Sequence, residues 1–166
     1  MSASHADPSP HAQPPSAATE SSSAHSVTLR VTQADLDDQA HVNNVVYVRW
    51  VQDTAIAHWV ALTTDADRAE VGWVCTRHEI DYLAPALLGD ELVVRTQVGH
   101  ARGLTFERHT DVRRVRDGRV LARSRTLWCP VDPRTGRPRR VSDALRAIFS
   151  LPLRNADGDA QRDAKA

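Results

Sequence analysis

The sequence has no excess of either charge: 21 lysines and arginines stand against 21 aspartates and glutamates in 166 residues. That balance removes the electrostatic case for a nucleic-acid partner, which rests on a basic surplus. Lysine is nearly missing. Lys165 is the sole one, so almost every basic side chain is an arginine. Arginine also fills ordinary surface positions, which points to compositional bias rather than to one dedicated site. No apolar run approaches the roughly 20 residues of a membrane-crossing helix. The N-terminus lacks the basic start and apolar stretch of a secretory signal. A cytoplasmic protein with no membrane partner is expected. Cysteine is scarce too: Cys75 and Cys129 both lie in apolar, strand-like stretches and read as small buried hydrophobes, with nothing that asks for a disulfide. Metal sites need clustered ligands at short spacing. Cys75 with His78 is the only such pair around either cysteine, so no metal and no other cofactor is expected.

What is present suits one domain with tails. Residues 1–25 are rich in Ser, Ala, Pro and His, and residues 151–166 look equally tail-like. Neither stretch can bury enough apolar surface to offset its ordering entropy, so both are expected to be disordered. The span 26–150 is large enough to fold without disulfides or metals.

Within that span one helix precedes a run of strands. Val27, Leu29 and Val31 alternate with polar neighbours in Ser26–Gln33, the period of a half-buried strand. After a polar loop, Val48, Val51, Ala55, Trp59 and Leu62 recur at spacings of three and four, one face of a helix over Val45–Leu62. Trp50, Ile56 and Val60 widen that face and predict a deeply packed helix. Asn43 or Asn44 can cap it. Strands are expected over Trp73–Leu83, around Leu92–Val98, over Leu104–Val112 and over Val120–Val131. Asp117-Gly118 marks a hairpin between the last two, and Ser142 caps a short terminal helix. This order indicates an α+β domain, with the helix laid across one sheet face.

Two phrases carry a resemblance. Asp35-Leu36-Asp37-Asp38-Gln39-Ala40-His41-Val42-Asn43-Asn44 leads into Val45-Val46-Tyr47, and Glu79-Ile80-Asp81-Tyr82-Leu83-Ala84-Pro85 is followed by Leu88-Gly89-Asp90-Glu91-Leu92. Together they resemble the hotdog-fold acyl-CoA thioesterases of the 4-hydroxybenzoyl-CoA type. A weaker match is Val131-Asp132-Pro133-Arg134-Thr135-Gly136-Arg137-Pro138. The resemblance implies a five- to six-stranded antiparallel sheet wrapped around the helix. It implies a homodimer or homotetramer with active sites at the subunit interface, and an acyl-CoA substrate. It also places Asp37 where the family has its catalytic carboxylate, as a nucleophile forming an anhydride or as a general base on water. Two departures stand out: Ala40 replaces a usual glycine, and Gln52 a usual acid.

The chemistry has a physical basis. Hydrolysis of a thioester builds negative charge on the carbonyl oxygen, and a helix start offers free N–H groups and a positive dipole end. The N–H of Asn44 or its neighbour is the candidate oxyanion donor, a few residues after the acidic loop. His41 either bonds the substrate or orients water, or is simply a polar loop residue. Asn43 is a cap or a substrate contact, and Tyr47 is packing or a substrate contact. Asp53 is a reserve carboxylate. Arg134 and Arg137, with Arg139 and Arg140 beside them, can fork onto CoA phosphates, or form a solvated basic loop. Trp50, Trp59 and Trp73 line an acyl pocket or belong to the core. Besides CoA-ester hydrolysis, two readings stay open: an acyl-carrier-protein thioesterase and a non-catalytic hotdog acyl-binding protein.

Overall fold

The computed structural model describes residues 24–149. The tails expected for 1–25 and 151–166 lie outside the described residues, except that Ala24 and His25 already belong to a strand. That strand, β1, spans Ala24–Arg30. A 3-10 turn at Gln33–Asp35 leads through a short hairpin to helix α1, Asn44–Leu62. A second helix, α2, covers Asp65–Glu70. Four long strands follow: β2 over Gly72–Tyr82, β3 over Glu91–Arg102, β4 over Thr105–Arg114 and β5 over Val120–Val131. Helix α3, Asp143–Ile148, starts at Ser142, whose side chain accepts from Leu145 N. The strands form one antiparallel sheet in the order β1-β3-β4-β5-β2, so the expected five-stranded α+β architecture is what the chain adopts.

Alternation along the strands gives the sheet an inner and an outer face. Registers join Val94 to Val112 and Thr96 to Thr110, and Phe106 to Trp128 and Arg108 to Thr126. All of these face α1, which answers with Val46, Tyr47, Trp50, Val51, Thr54, Ala55 and His58. The core divides in two along the helix. One cluster gathers Trp50, Leu92, Val94, Val112 and Leu121 around the first half of α1. The other gathers Ala55, Val98, Phe106, Trp128 and Phe149 around the second half. Between them lies a buried polar belt of Thr54, His58, Thr96, Arg108, Thr110, Ser124 and Thr126. The outer face is polar. Arg125 bridges Glu79 at 3.1 Å and Glu107 at 3.0 Å.

Two expectations change. Ile56 and Val60 do not deepen the buried face of α1. They are 48% and 50% exposed, and Val45 is 72% exposed. All three lie on the side of the helix that this chain's own sheet leaves open. The cysteines are half-buried. Cys75 faces inward beside Trp128, while Cys129 pairs with Val74 on the outer face, so the two thiols sit on opposite sides of the sheet. A bulge after Cys75 brings Cys75 Sγ to 3.1 Å from His78 Nε2.

Leu92 is completely buried in the first cluster. Leu92→Ala is expected to cost about 2–5 kcal/mol, read as a lowered urea midpoint with an unchanged slope.

Candidate active site

The hairpin before α1 is built by its own backbone. Leu36 and Val42 pair across it. Asp37 N donates to His41 O at 2.8 Å, and Ala40 N donates to Asp37 O at 3.0 Å. The turn therefore closes over Asp37–Ala40 and then needs one left-handed residue to rejoin the strands. Ala40 takes that place at φ 59°, the position where such hairpins use glycine. An alanine held there costs about 1–2 kcal/mol. The hairpin is moored on two sides: Asn43 N donates to Asp35 O at 2.9 Å and Val42 N to Ala86 O at 3.1 Å.

The two aspartates of the loop have opposite fates. Asp35 is consumed by structure. Its Oδ2 accepts from Thr32 N at 2.9 Å and Thr32 Oγ1 at 2.8 Å, and its Oδ1 meets Arg49 Nη2 at 2.6 Å. Burial works to raise its carboxyl, but the Thr32 hydrogen bonds and the Arg49 guanidinium outweigh that and hold it below the usual carboxylate range. Asp37 is held by one oxygen only. Its Oδ1 accepts from Gln39 N at 2.9 Å and His41 N at 3.3 Å. Its Oδ2 makes no hydrogen bond to any described residue. The carboxylate is thus oriented by the loop and still has an oxygen to react with.

The helix start supplies the complement. Asn43 is the N-cap, its Oδ1 accepting from Val45 N at 3.0 Å, and Val46 N donates to Asn43 O at 2.9 Å. The Asn44 N–H has no partner among the described residues and lies at the positive end of a 19-residue helix, which favours an incoming oxyanion. Tyr82 OH donates to Asn44 O at 3.2 Å, placing the end of β2 against this helix turn.

The other candidates fall as follows. His41 is exposed in the hairpin, and its ring makes no hydrogen bond to the described residues. Tyr47 is buried, and its hydroxyl accepts from Ala86 N at 3.0 Å. It thereby fixes the loop that Val42 also pairs with, and burial keeps that hydroxyl protonated above its ordinary range. Asp53 is exposed on α1, about 13 Å from the helix start at 1.5 Å per residue, and is not brought to Asp37. Trp50 belongs to the first core cluster. Trp59 and Trp73 meet edge to face at 5.7 Å in the second. Arg134 and Arg137 sit in an exposed turn after β5, where Asp132 Oδ1 accepts from Arg134 N at 2.8 Å and Asp132 N donates to Arg137 O at 2.9 Å. Leu83 and Ala84 beside the site pair with Leu121 at the opposite end of β5. At about 3.3 Å per residue the ten steps from Leu121 to Val131 set the two places roughly 33 Å apart along the strand.

The polar belt was not anticipated from the sequence. Arg108 and Thr110 share their alternation with Phe106 and Val112. That parity is the signal that places them inside.

A curled antiparallel sheet closed on one long helix, with a carboxylate-bearing hairpin at the start of that helix, defines a hotdog-fold protein. Residues 31–149 match the family model of the thioesterase-like superfamily, and the chain belongs to that superfamily. Solved structures agree in fold. A 1,4-dihydroxy-2-naphthoyl-CoA thioesterase from Synechocystis superposes with a TM-score of 0.68 at 15% identity, over 76% of this chain and 96% of that one. A DHNA-CoA thioesterase from Staphylococcus aureus gives 0.68 at 14% identity, over 76% and 89%. A thioesterase-superfamily protein from Jannaschia sp. CCS1 gives 0.67 at 24% identity, over 75% and 79%. No curated protein sequence matches significantly.

Two outcomes follow from the hairpin. Ala40→Gly is expected to raise stability by about 1 kcal/mol by releasing the left-handed strain, seen as a melting temperature higher by a few degrees. Asp35→Asn is expected to lose about 2 kcal/mol at neutral pH. Because the folded carboxyl of Asp35 titrates below its unfolded value near 3.9, the wild-type advantage is complete above about pH 5. It should fade as pH falls through the folded value, and melting both proteins across an acid series measures it.

Proposed function

We propose that the chain hydrolyses acyl-CoA thioesters, with Asp37 as the reacting carboxylate and the start of α1 as the oxyanion site. The observation that carries this is the state of Asp37. One carboxylate oxygen is clamped by two backbone amides and the other is unengaged among the described residues, in a hairpin that runs directly into a helix whose Asn44 N–H is likewise open to them. The thioester carbonyl oxygen would take the Asn44 N–H, and charge growing there meets the helix dipole. Asp37 Oδ2 then attacks the carbonyl carbon or takes a proton from an attacking water. In either case CoA leaves as the thiolate; in the first, water then cleaves the Asp37 acyl anhydride to the free acid and restores the carboxylate. His41, exposed beside Asp37, can orient that water. Similarity to proteins named as CoA thioesterases supports the substrate class.

The same reading accounts for the distant arginines if two copies pair through β2. This strand is a sheet edge of 11 residues with unpaired backbone groups along one side. Beside it lie the exposed Val74, Tyr82 and Leu83, and Val45, Ile56 and Val60 of α1. Two identical edges related by a twofold axis meet antiparallel. The Gly72 end of one copy then lies beside the Tyr82 end of the other. Since Gly72 pairs with Val131, the turn carrying the partner's Arg134 and the partner's Arg137 would reach this protomer's hydrolytic centre, where their forks suit CoA phosphates.

Asp37→Asn tests the proposal cleanly, because asparagine keeps the Oδ1 acceptor that the loop amides require. Thiol release from a panel of aliphatic and aromatic acyl-CoAs is expected to drop at least about 100-fold in kcat, with circular dichroism and melting unchanged. Equal turnover in the variant would remove Asp37 from the mechanism. Cleavage of carrier-bound esters alone would move the substrate to an acyl carrier protein, and no cleavage of either would leave an acyl-binding protein.

A further inference from the structure

The second core cluster borders a half-open cavity of about 70 Å³. Its walls include Ile56, Trp59, Trp73, Phe106 and Trp128, and β4 contributes Arg108 and Glu107, whose carboxylate is engaged by Arg125 and His109. Arg108 is only 8% exposed. Such a cation is ordinarily matched by a carboxylate, yet no salt bridge joins Arg108 to any described residue. Its Nη1 donates to His58 Nδ1 at 2.9 Å and to Thr96 Oγ1 at 3.2 Å. Both acceptors are neutral, since a ring nitrogen that accepts from a guanidinium carries no proton. Nε and Nη2 make no hydrogen bond to the described residues. They are not sealed either, because Ser124 Oγ is the one described side-chain atom both closed off and unpartnered. Arg108 itself lines the cavity, so this unbonded edge is the polar group it can offer there. Desolvation draws the guanidinium down to about 10, so it is still a full cation at neutral pH, in a wall of aromatic rings.

We propose that this cavity is an acyl-end subsite for a carboxylate, held by the free edge of Arg108, so that the chain selects acyl groups ending in an anion over equally long apolar ones. A carboxylate offers two oxygens to Nε and Nη2 in the fork geometry a guanidinium favours. The apolar stem behind it lies against Trp59, Trp73 and Phe106. His58, packed edge-on to Phe149 at 5.8 Å and stacked on His25 at 5.5 Å, holds Nη1 in place and so sets the direction of the free edge. The proposal rests on the thioesterase reading for its route. In the antiparallel pairing the Trp73 end of one copy comes beside the partner's Tyr82 end, where the partner's reacting hairpin lies.

The test pairs ω-carboxyacyl-CoA esters of increasing length with unsubstituted esters of equal length. The best carboxylated ester is expected to exceed its match by about 10- to 100-fold in kcat/KM. Arg108→Gln should bring the ratio close to one. Ile56→Glu, at the half-exposed mouth, should do the same by offering an internal carboxylate while leaving the buried hydrogen bonds intact, in protein whose association matches wild type by size-exclusion chromatography. A second readout needs no turnover: emission from the lining tryptophans is titrated with hexanoate and with hexanamide, in wild type and both variants. Tighter binding of hexanoate that vanishes in the variants supports the subsite even if no CoA ester is cleaved, an outcome that would sink only the thioesterase reading. If neither assay shows a preference for the anion, or the preference survives in both variants, the subsite is overturned whatever the esters do.

Discussion

One long helix has to be sealed by one sheet, and most features of this molecule follow from that constraint. Helix α1 has 19 residues, about 28 Å at 1.5 Å per residue, so the covering strands must be long and must curl. Strands β3 and β5 run 12 residues each. A sheet of five strands can cover the inward stripe of Val46, Tyr47, Trp50, Val51, Ala55 and His58, but not the whole circumference. The uncovered stripe keeps Val45, Ile56 and Val60 exposed. The same geometry leaves β2 as an open edge. These are two aspects of one shortage of cover, and a second copy placed at that edge would meet both.

The helix start is where the electrostatics concentrate. Asp35 and Asp37 are two residues apart with the same side chain, and their environments divide the work between them. Asp35 holds Thr32 and Arg49 and fixes the entry to the hairpin. Asp37 spends one oxygen on the loop and keeps the other. The floor beneath them is equally fixed. Ala86 bonds to Val42 through its carbonyl and to Tyr47 through its N–H. Asp90, at the end of the same loop, accepts from Leu87 N at 3.0 Å and faces Arg114 at 3.3 Å. The hairpin therefore rests on a loop that is itself tied down at both ends. A strained residue such as Ala40 can persist there because its neighbours over-determine its conformation.

The sequence was most legible where a single period governs a segment. The alternation of Val120–Val131 and the spacing of three and four in α1 give those elements within a residue of their bounds. The resemblance marked position 40 as a usual glycine, and the structure holds Ala40 there at φ 59°. Helix α2 was not anticipated, although Thr64 and Asp67 form its capping box. At six residues it is too short for periodicity to register. The exposure of Ile56 and Val60 was misread because an apolar side chain marks a face to be covered without saying by which chain. Arg108 was missed for the converse reason. A charged residue at an inward parity reads as an exception to the alternation, whereas here the parity holds and the charge is inside.

The position of the basic turn presses the argument for two copies further. Arg134 and Arg137 sit at one end of β5 and the hairpin of Asp37 lies at the other. Within one chain the length of the sheet keeps the arginines from the hairpin of Asp37. Strand length cannot be shortened without uncovering α1, so a monomer of this fold cannot bring its own basic turn to its own hairpin. Antiparallel apposition of two β2 edges reverses one sheet against the other and abolishes that separation. It also brings the aromatic cavity near Trp73 to the same place. A phosphate clamp, a reacting carboxylate and an acyl pocket would then converge, though they lie far apart in each chain. On the proposed pairing, the need to seal one helix would make the complete site a property of the pair.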